Sequence, residues 1–588
     1  MSDVAVRFGT ETWTRPGGPA GEQQLVLNLH PPVPGESPGG WQVEVHTCAG
    51  IQVQRAPDGL TLLLKGLVDW PPEELFRRYR AEGVPGLRGW WGTYTFVLLD
   101  PARGEVYVGT DATASRKMYA SVQGGRLWLS TSLRGLAEQA AFRAQPFSRA
   151  GVAAYLASGQ MPMGHTLMAG VQRLERDRVY RLGVAGGQPT LEVAACDTQH
   201  FAVAPVRDGR ALKEELNRLL LASAQRHWAS CGPRPAVSLS AGVDARALLG
   251  LLGGDLKARG ITAFSYSLGT PVPGSDPALS PQLAAHYGYP HVLVNSYRGQ
   301  LLDTLQRNAV WGDGGSNICD EVDAWDELAS LGYSDVFTGD HVYGWNGEAP
   351  AHQRDFLLHQ LGLPRWDALG ALQPVLDPHA WTQLGQDWMA LRAEQEALGG
   401  PLYPPLNFVD QLYLESRVQH TLVLWREHFS EQGGRVHLPY LDPEMIAFVK
   451  RLPPEWRDHK RLFRELVQQR YPGLFALPFA TSLGYKPDWN AELQRHRAAV
   501  QDELRQPAPR LDELLPPDRL AQLLDRLTPA GAPPRFAAAR TRLATVRRSA
   551  LGTRLLGEKP SRATVPPATL LMRALTLRAF ERSLNLSS

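Results

Sequence analysis

The spacing of apolar positions divides the chain into a strand-rich first third and a longer region in which strands and helices alternate. Apolar runs at 24–29, 60–67, 92–99, 105–109 and 126–130 are bounded by Gly, Pro and Asp and read as strands. The period changes near Asp208, which is placed to cap a helix carrying Leu212, Leu216, Leu219 and Leu220 on one face. Strand 236–239 then runs into a small-residue turn and an apolar helix over 245–252. Strand 261–267, helix 277–287, strand 291–294 and a short strand at 335–338 follow. Such alternation predicts a parallel, doubly wound α/β sheet with ligands at the carboxyl ends of its strands. Helical patterns return at 407–431, 443–451 and 460–470, and residues 501–588 read as Arg- and Pro-rich helices ending in one over 568–584.

At 588 residues the chain is longer than the ~250–300 that one hydrophobic core organises. The pattern divides it into 1–190, 205–500 and a helical extension, 501–588. The net charge is +2, which gives no electrostatic case for a nucleic-acid or membrane partner. The basic tail that includes Arg535, Arg540, Arg542, Arg547, Arg548, Arg554 and Lys559 is either a solvated helix face or a contact for nucleic acid or a leader peptide. Of the 61 basic residues eight are lysines and 53 arginines, so each lysine, as a mobile point charge able to lose its proton, merits separate attention. Cys48, Cys196, Cys231 and Cys319 are scattered, with neither disulfide nor zinc-type spacing. His286, His291, His341, His352 and His359 are too irregularly spaced for a metal cluster. Residues 1–18 lack the apolar core of a signal peptide, and no run approaches the ~18 apolar residues of a membrane helix. A cytoplasmic protein is expected.

The segment that carries chemistry is Ser240-Ala241-Gly242-Val243-Asp244-Ala245-Arg246, lying between a strand and a helix. Small residues let a ligand approach the backbone, and successive N–H groups at a turn and helix start form an anion cradle. Asp244 beside it is suited to hold Mg2+ against polyphosphate oxygens. No GxxxxGK[ST] is present, so this is not a Walker loop. The alternative is an ordinary strand–turn–helix with an N-capping acid.

The order of residues adds more. Ser240 to Asp244 resembles the pyrophosphate-binding SGGxDS motif of the asparagine synthetase family of ATP pyrophosphatases, which has relatives among β-lactam synthetases and lasso-peptide macrolactam cyclases. Ser267-Leu268-Gly269 is similar to the end of that family's AMP-contacting strand. The stretch from Gly339-Asp340-His341 to Trp345 resembles its second acidic motif, Arg435 to Asp442 its "ARVPFLD", and Lys460 to Arg464 its "KxxLR". Leu87 to Asp100, Asp111 to Tyr119, Leu129 to Leu136 and Tyr155 to Leu182 resemble the family's glutaminase-type domain and the linker after it.

The resemblance implies an N-terminal glutaminase-type (Ntn) α+β sandwich, a doubly wound ATP pyrophosphatase domain and a helical C-terminal extension. It implies ATP and Mg2+ as cofactors. Asp244 and Asp340 would hold the metal, and Ser240, Ala241, Gly242, Asp244, Arg246, Ser267, Leu268, Gly269 and Gly339 would hold the nucleotide. The activity implied is adenylation of a carboxylate, aspartate or a related acid, and transfer to ammonia or an amine. A tailoring amide synthetase or macrolactam cyclase acting on a peptide or metabolite is the alternative within that chemistry. A degenerate nucleotide-binding or regulatory protein is the alternative outside it.

Departures from the family pattern set further expectations. Position 2 is Ser2 where the family has a nucleophilic cysteine, and Leu64-Lys65-Gly66-Leu67 stands in the neighbourhood of its glutamine-gripping "NGEIYN". An inactive glutaminase-type domain is therefore expected. Ala245 replaces a phosphate-touching serine, and Arg246 either contacts phosphate or faces solvent. His341 replaces a glutamate and is a base, a ligand or a satisfied histidine. Ser482 stands where the family places its catalytic lysine, leaving Lys460 and Lys486 as candidates, each of which is otherwise a solvated residue. Asp313 to Ser316, with Asp320 and Glu321, lines an acceptor pocket or forms an exposed loop.

Overall fold

Two six-stranded sheets face each other in the N-terminal part because their strands alternate inward and outward apolar positions. The computed structural model describes residues 3–8, 25–31, 39–47, 50–162, 164–202, 208–316, 318–344, 370, 372–398, 405–527 and 565–585. The strands are β1 (Asp3–Phe8), β2 (Leu25–His30), β3 (Gly39–Thr47), β4 (Ile51–Arg55), β5 (Thr61–Val68) and β6 (Gly92–Asp100). They continue as β7 (Glu105–Thr110), β8 (Tyr119–Gln123), β9 (Arg126–Ser130), β10 (Gln172–Arg173), β11 (Arg178–Ala185) and β12 (Gln188–Cys196). The sheet orders are β1-β3-β2-β9-β8-β10 and β12-β11-β7-β6-β5-β4, and every neighbouring pair is antiparallel except β1 and β3.

Leu27, Leu29, Val43 and Val45 of one sheet meet Leu63, Val97, Val106 and Val108 of the other in a shared interior. The alternate residues Leu64, Phe96 and Leu98 pack outward, beneath Leu75, Phe76 and Tyr79 of the helix Pro72–Glu82. β6 is thus buried on both faces, which is why it reads as an unbroken apolar run.

The third sheet is parallel. It consists of β13 (Pro235–Ser238), β14 (Thr262–Ser267), β15 (His291–Asn295), β16 (Asp335–Phe337) and β17 (Arg435–His437), in the order β15-β14-β13-β16-β17. β13 is central, with Ala236 opposite Thr262 on one side and Val336 on the other. The order of strands reverses there, so the carboxyl end of β13 opens onto a switch-point crevice. The helix leading into this sheet, Gly209–Ala229, is capped as expected: Asp208 accepts from the N–H groups of Arg210 at 3.0 Å and Ala211 at 3.2 Å. The helix after β13 begins at Val243 and passes into a π-helical segment, Gly250–Asp255; a second such segment, Tyr413–Leu422, interrupts the helix expected over 407–431.

The final helix, Pro567–Asn585, is part of a core and not an appendage. Its Leu570, Leu571, Leu575 and Phe580 share one apolar cluster with Leu301 and Leu305 of the helix Leu301–Trp311 and with Val152 and Tyr155 of Arg149–Ser158. The basic residues from Arg535 to Lys559, with Ser2, Cys48, Trp345, His352 and His359, lie outside the described residues. Among the described residues no helix is long and apolar enough to cross a membrane.

Buried ion pairs join the sandwich to the parallel-sheet region. Lys65 Nζ of β5 lies 3.2 Å from Glu427 and 2.5 Å from Glu431, and Lys117 Nζ lies 3.2 Å from Asp313. Burial alone would raise the Glu427 carboxyl, but Lys65 and Lys117 hold it down at about 2. This stabilisation is complete above the ordinary unfolded glutamate value, ~4.3, and is lost as the pH falls toward the folded one. Tm should therefore drop between about pH 5 and pH 2, and Glu427→Gln should remove part of that dependence. Lys65→Met strands buried carboxylates and should cost about 3–5 kcal/mol in denaturant unfolding at pH 7.

Candidate functional site

The site is built on β13, whose Ala236 and Val237 are fully buried between neighbouring strands. The chain then turns sharply. Ser240 Oγ accepts from the Gly242 N–H at 3.3 Å, and the Ala241 N–H donates to Asp276 Oδ1 at 2.8 Å. Gly242 is the N-cap of the next helix, and Asp244 sits in its first turn, where the helix dipole favours a negative charge. The alternative reading of Asp244 as the N-capping acid is thereby corrected. One cradle N–H, that of Ala241, already has an internal carboxylate partner.

Two of the sequence candidates converge on Asp244. Lys460 Nζ donates to Asp244 Oδ2 at 2.9 Å, and His341 Nε2 lies 3.5 Å from the same oxygen. The Tyr343 N–H donates to His341 Nδ1 at 3.3 Å, which leaves Nε2 to face Asp244 as the protonated nitrogen. His341 also stacks on Tyr343, with ring centroids 5.5 Å apart, and Tyr343 stacks on Phe463 at 4.0 Å. Burial alone would raise the Asp244 carboxyl, but His341 and Lys460 hold it well below the usual carboxylate range. The other oxygen, Oδ1, is buried and has no hydrogen-bond partner among the described residues. Lys460 is not inside the α-helix that its pattern suggested but closes the short 3-10 turn Asp458–Lys460. It precedes the helix Arg461–Arg470 in left-handed backbone, φ +58°, directly after His459 at φ +49°. Two consecutive non-glycine residues in this region store strain, of order 1–3 kcal/mol each, that the surroundings must hold.

Asp340 is committed elsewhere. Arg426, on the helix Val423–Glu431, donates from Nε to Asp340 Oδ2 at 2.9 Å and from Nη2 to Oδ1 at 3.3 Å, and Thr338 Oγ1 donates to Oδ2 at 2.8 Å. Burial would raise the Asp340 carboxyl, but Arg426 outweighs it and lowers it. The same guanidinium reaches Glu321 at 3.4 Å, yet burial there wins and the Glu321 carboxyl is raised. A Mg2+ shared by Asp244 and Asp340 does not fit this donor set, because both Asp340 oxygens already accept charged hydrogen bonds and only Asp244 Oδ1 is open. Arg426 carries the correction, and the sequence reading did not single it out. Among 53 arginines it had no local signal.

The remaining candidates divide. Arg246 neither contacts an open cradle nor faces solvent. It is fully buried, its guanidinium donates to the carbonyls of Ala241 at 3.2 Å, Leu474 at 2.6 Å, Leu477 at 2.9 Å and Pro478, and it lies 4.0 Å from the Phe479 ring. It ties segment 474–479 to the turn. Ser267 Oγ donates to the Gly269 carbonyl at 2.9 Å, and the turn Ser267-Leu268-Gly269 opens beside the one after β13, with Gly269 exposed. Gly339 packs against the Asp244 backbone: a Cβ there would lie 3.4 Å from the Asp244 carbonyl carbon. Ser482 accepts at its carbonyl from the Asp276 N–H at 3.2 Å. Gly484 turns the chain at φ +73°, where a Cβ would stand 2.4 Å from that of Ser275. Lys486 Nζ then pairs with Asp320 at 2.6 Å, so the two lysine candidates serve different carboxylates. Asp320 and Glu321 are buried, which places them in the wall of the crevice and not on an exposed loop.

Because Arg246 acts on carbonyls, Arg246→Met should leave several buried acceptors unpaired and lower unfolding free energy by about 3 kcal/mol or more, with faster proteolysis within 474–482. Unchanged stability would return Arg246 to a ligand-facing role.

No family model matches the chain, and no curated protein does. Two solved structures that align with it are the allosteric regulatory enzyme of purine biosynthesis and glutamine phosphoribosylpyrophosphate amidotransferase from B. subtilis, the latter complexed with ADP and GMP. The first is 10% identical over 55% of this chain and 76% of its own, with a TM-score of 0.19. The second is 10% identical over 56% and 78%, with a TM-score of 0.18. Likeness at this level assigns neither a family nor an activity, and the functional reading rests on the site itself.

Proposed function

We propose that the chain is an ATP-dependent, amide-forming ligase of the asparagine synthetase type, which adenylates a carboxylate and passes the acyl group to an amine or ammonia. The observation that carries this reading is the convergence of Lys460 and His341 on Asp244 in the turn after the central parallel strand. An anion bound at that turn would meet a lysine already delivered to it, and the strained Lys460 backbone shows that the fold sustains this placement at a cost. ATP would supply the adenylyl group and pyrophosphate as leaving group. The residues would then act by position: the N–H groups in the first turn of the helix after Gly242 orient phosphate oxygens, and Lys460 swings from Asp244 toward developing negative charge. Glu321, whose carboxyl burial raises, is the group suited to take a proton from the attacking amine.

The nitrogen donor, on this reading, comes from solution and not from glutamine. Lys65, near the position of the family's glutamine-gripping segment, is buried in ion pairs with Glu427 and Glu431 at the domain junction. The sandwich is then a retained glutaminase-type domain without hydrolytic function. The acceptor carboxylate is aspartate, a related small acid or a peptide.

A second reading has its own support. Arg426 saturates Asp340, and Asp276 takes the Ala241 N–H, so two of the family's ligand-binding groups are internally satisfied. A protein that binds a nucleotide without turning it over would tolerate both.

ATP–pyrophosphate exchange across a panel of carboxylates decides between them. Ligase activity predicts exchange with at least one acid and AMP as product. Lys460→Met should reduce it roughly 100-fold or more, and Lys486→Met far less. A nucleotide-induced thermal shift with no exchange for any acid supports the second reading; neither signal leaves both wrong.

A further inference from the structure

The parallel sheet carries a second constellation away from Asp244. Cys231 lies between the helix Gly209–Ala229 and β13, Asp335 opens β16, and His437 closes β17. The sulfur, a carboxylate oxygen and an imidazole nitrogen of these three residues lie within 4.8 Å of one another. His437 Nε2 is 2.6 Å from Asp335 Oδ1, and the Gly232 N–H donates to Asp335 Oδ2 at 2.9 Å. A Cβ at position 232 would stand 2.6 Å from Oδ2, so glycine is what lets the Cys231 loop close on the carboxylate. Asp335 and His437 are buried, while Cys231 is partly exposed and gives a route in.

A second layer backs the first. His437 Nδ1 faces His227 Nδ1 at 3.1 Å, and His227 Nε2 lies 3.0 Å from Asp442 Oδ1. Asp442 is itself held by Ser223 Oγ at 2.6 Å and Arg226 at 2.7 Å. Asp335, His437, His227 and Asp442 thus form one continuous chain in which each imidazole lies between a carboxylate and the other ring.

We propose that Cys231, Asp335 and His437 form a site for a zinc-class divalent cation, with its fourth position open to solvent or a small ligand. The cation would bind His437 Nε2 as the neutral imidazole. His437 Nδ1–H would then donate to His227 Nδ1, and His227 Nε2–H to Asp442. The Cys231 thiol would give up its proton and bind as thiolate. One divalent cation enters and the thiol proton leaves to solvent. Mixed sulfur, nitrogen and oxygen ligation suits zinc and cobalt, and the carboxylate-backed histidine relay is the support that such ligands usually carry.

Titrating chelator-stripped full-length protein with Co2+ tests the site. The expected result is uptake of one equivalent with a thiolate-to-cobalt charge-transfer band that Zn2+ abolishes. Calorimetry in buffers of different ionisation enthalpy should show a proton released as the Cys231 thiol binds the metal. Cys231→Ser should lose the band, and His227→Gln should weaken binding about 10–100-fold. Asp244→Asn, at the carboxyl end of β13, should leave uptake unchanged. Should the Cys231 variant fail to fold, bound Zn2+ should protect Cys231 of the wild-type protein from alkylation, read by peptide mapping. Absence of stoichiometric uptake, a band that survives Cys231→Ser, or alkylation of Cys231 indifferent to Zn2+ would overturn the proposal.

Discussion

A carboxylate stays ionised inside a protein only if a cation is brought to it, and the interior of this chain is arranged around that requirement. Asp244 has Lys460, Asp340 has Arg426, Asp320 has Lys486, Glu427 has Lys65 and Lys117, and Asp442 has Arg226. Each pair joins elements far apart in sequence, so the pairs fix how strands and helices meet as well as neutralising charge. Removing one partner leaves a desolvated ion, whereas the apolar clusters around it would still close. Charge matching therefore discriminates the native arrangement of this crevice more sharply than apolar burial does.

The same requirement governs the candidate site. The acids at the carboxyl edge of the parallel sheet have been supplied with fixed cations, which differ in what they can release. Arg426 holds Asp340 through two donors on a planar guanidinium, a geometry suited to permanence. Lys460 meets Asp244 through a single ammonium on a flexible stem, from a strained backbone. If a ligand displaces one internal cation, Lys460 is the one it can recruit, and Asp244 Oδ1 is the buried acceptor still open. The shortage of lysine in the composition gains meaning here. Among the described residues Lys65, Lys117, Lys213, Lys450, Lys460 and Lys486 are all ion-paired, and only Lys460 reaches Asp244.

Much of the fold was legible because it rests on local periodicity. β6, β9, the Asp208 cap and the helix Pro443–Arg451 follow directly from apolar spacing and turn residues. β17 escaped because three residues hold no period, and β3, β11 and β12 because exposed polar positions dilute theirs. At the site, Asp244, His341 and Lys460 could be nominated from the order of motifs, but their meeting on one oxygen could not. The commitments of Arg246 to carbonyls and of Arg426 to Asp340 were invisible for a different reason. A guanidinium's partners are set by tertiary contacts, and an arginine-rich sequence offers nothing to single out two of them. The cluster of Cys231, Asp335 and His437 shows the same limit, since its ligands share no spacing and meet only when β16 and β17 pair.

The helix Val423–Glu431 ties the sandwich to the crevice. Arg426 and Glu427 are adjacent, so on a helix their side chains diverge by about 100°. Arg426 turns to Asp340 and Glu321 in the crevice, and Glu427 turns to Lys65 and Lys117 of the sandwich. The sandwich also grips the strip ahead of Asp320 and Glu321: Tyr119 donates to Asp313 Oδ2 at 2.9 Å, and Lys117 donates to the Trp311 carbonyl. Two elements that shape the crevice are thus anchored from outside by the N-terminal sheets. Loosening that anchorage would free Arg426 from its register with Asp340, so the first domain takes part in the site by holding its walls.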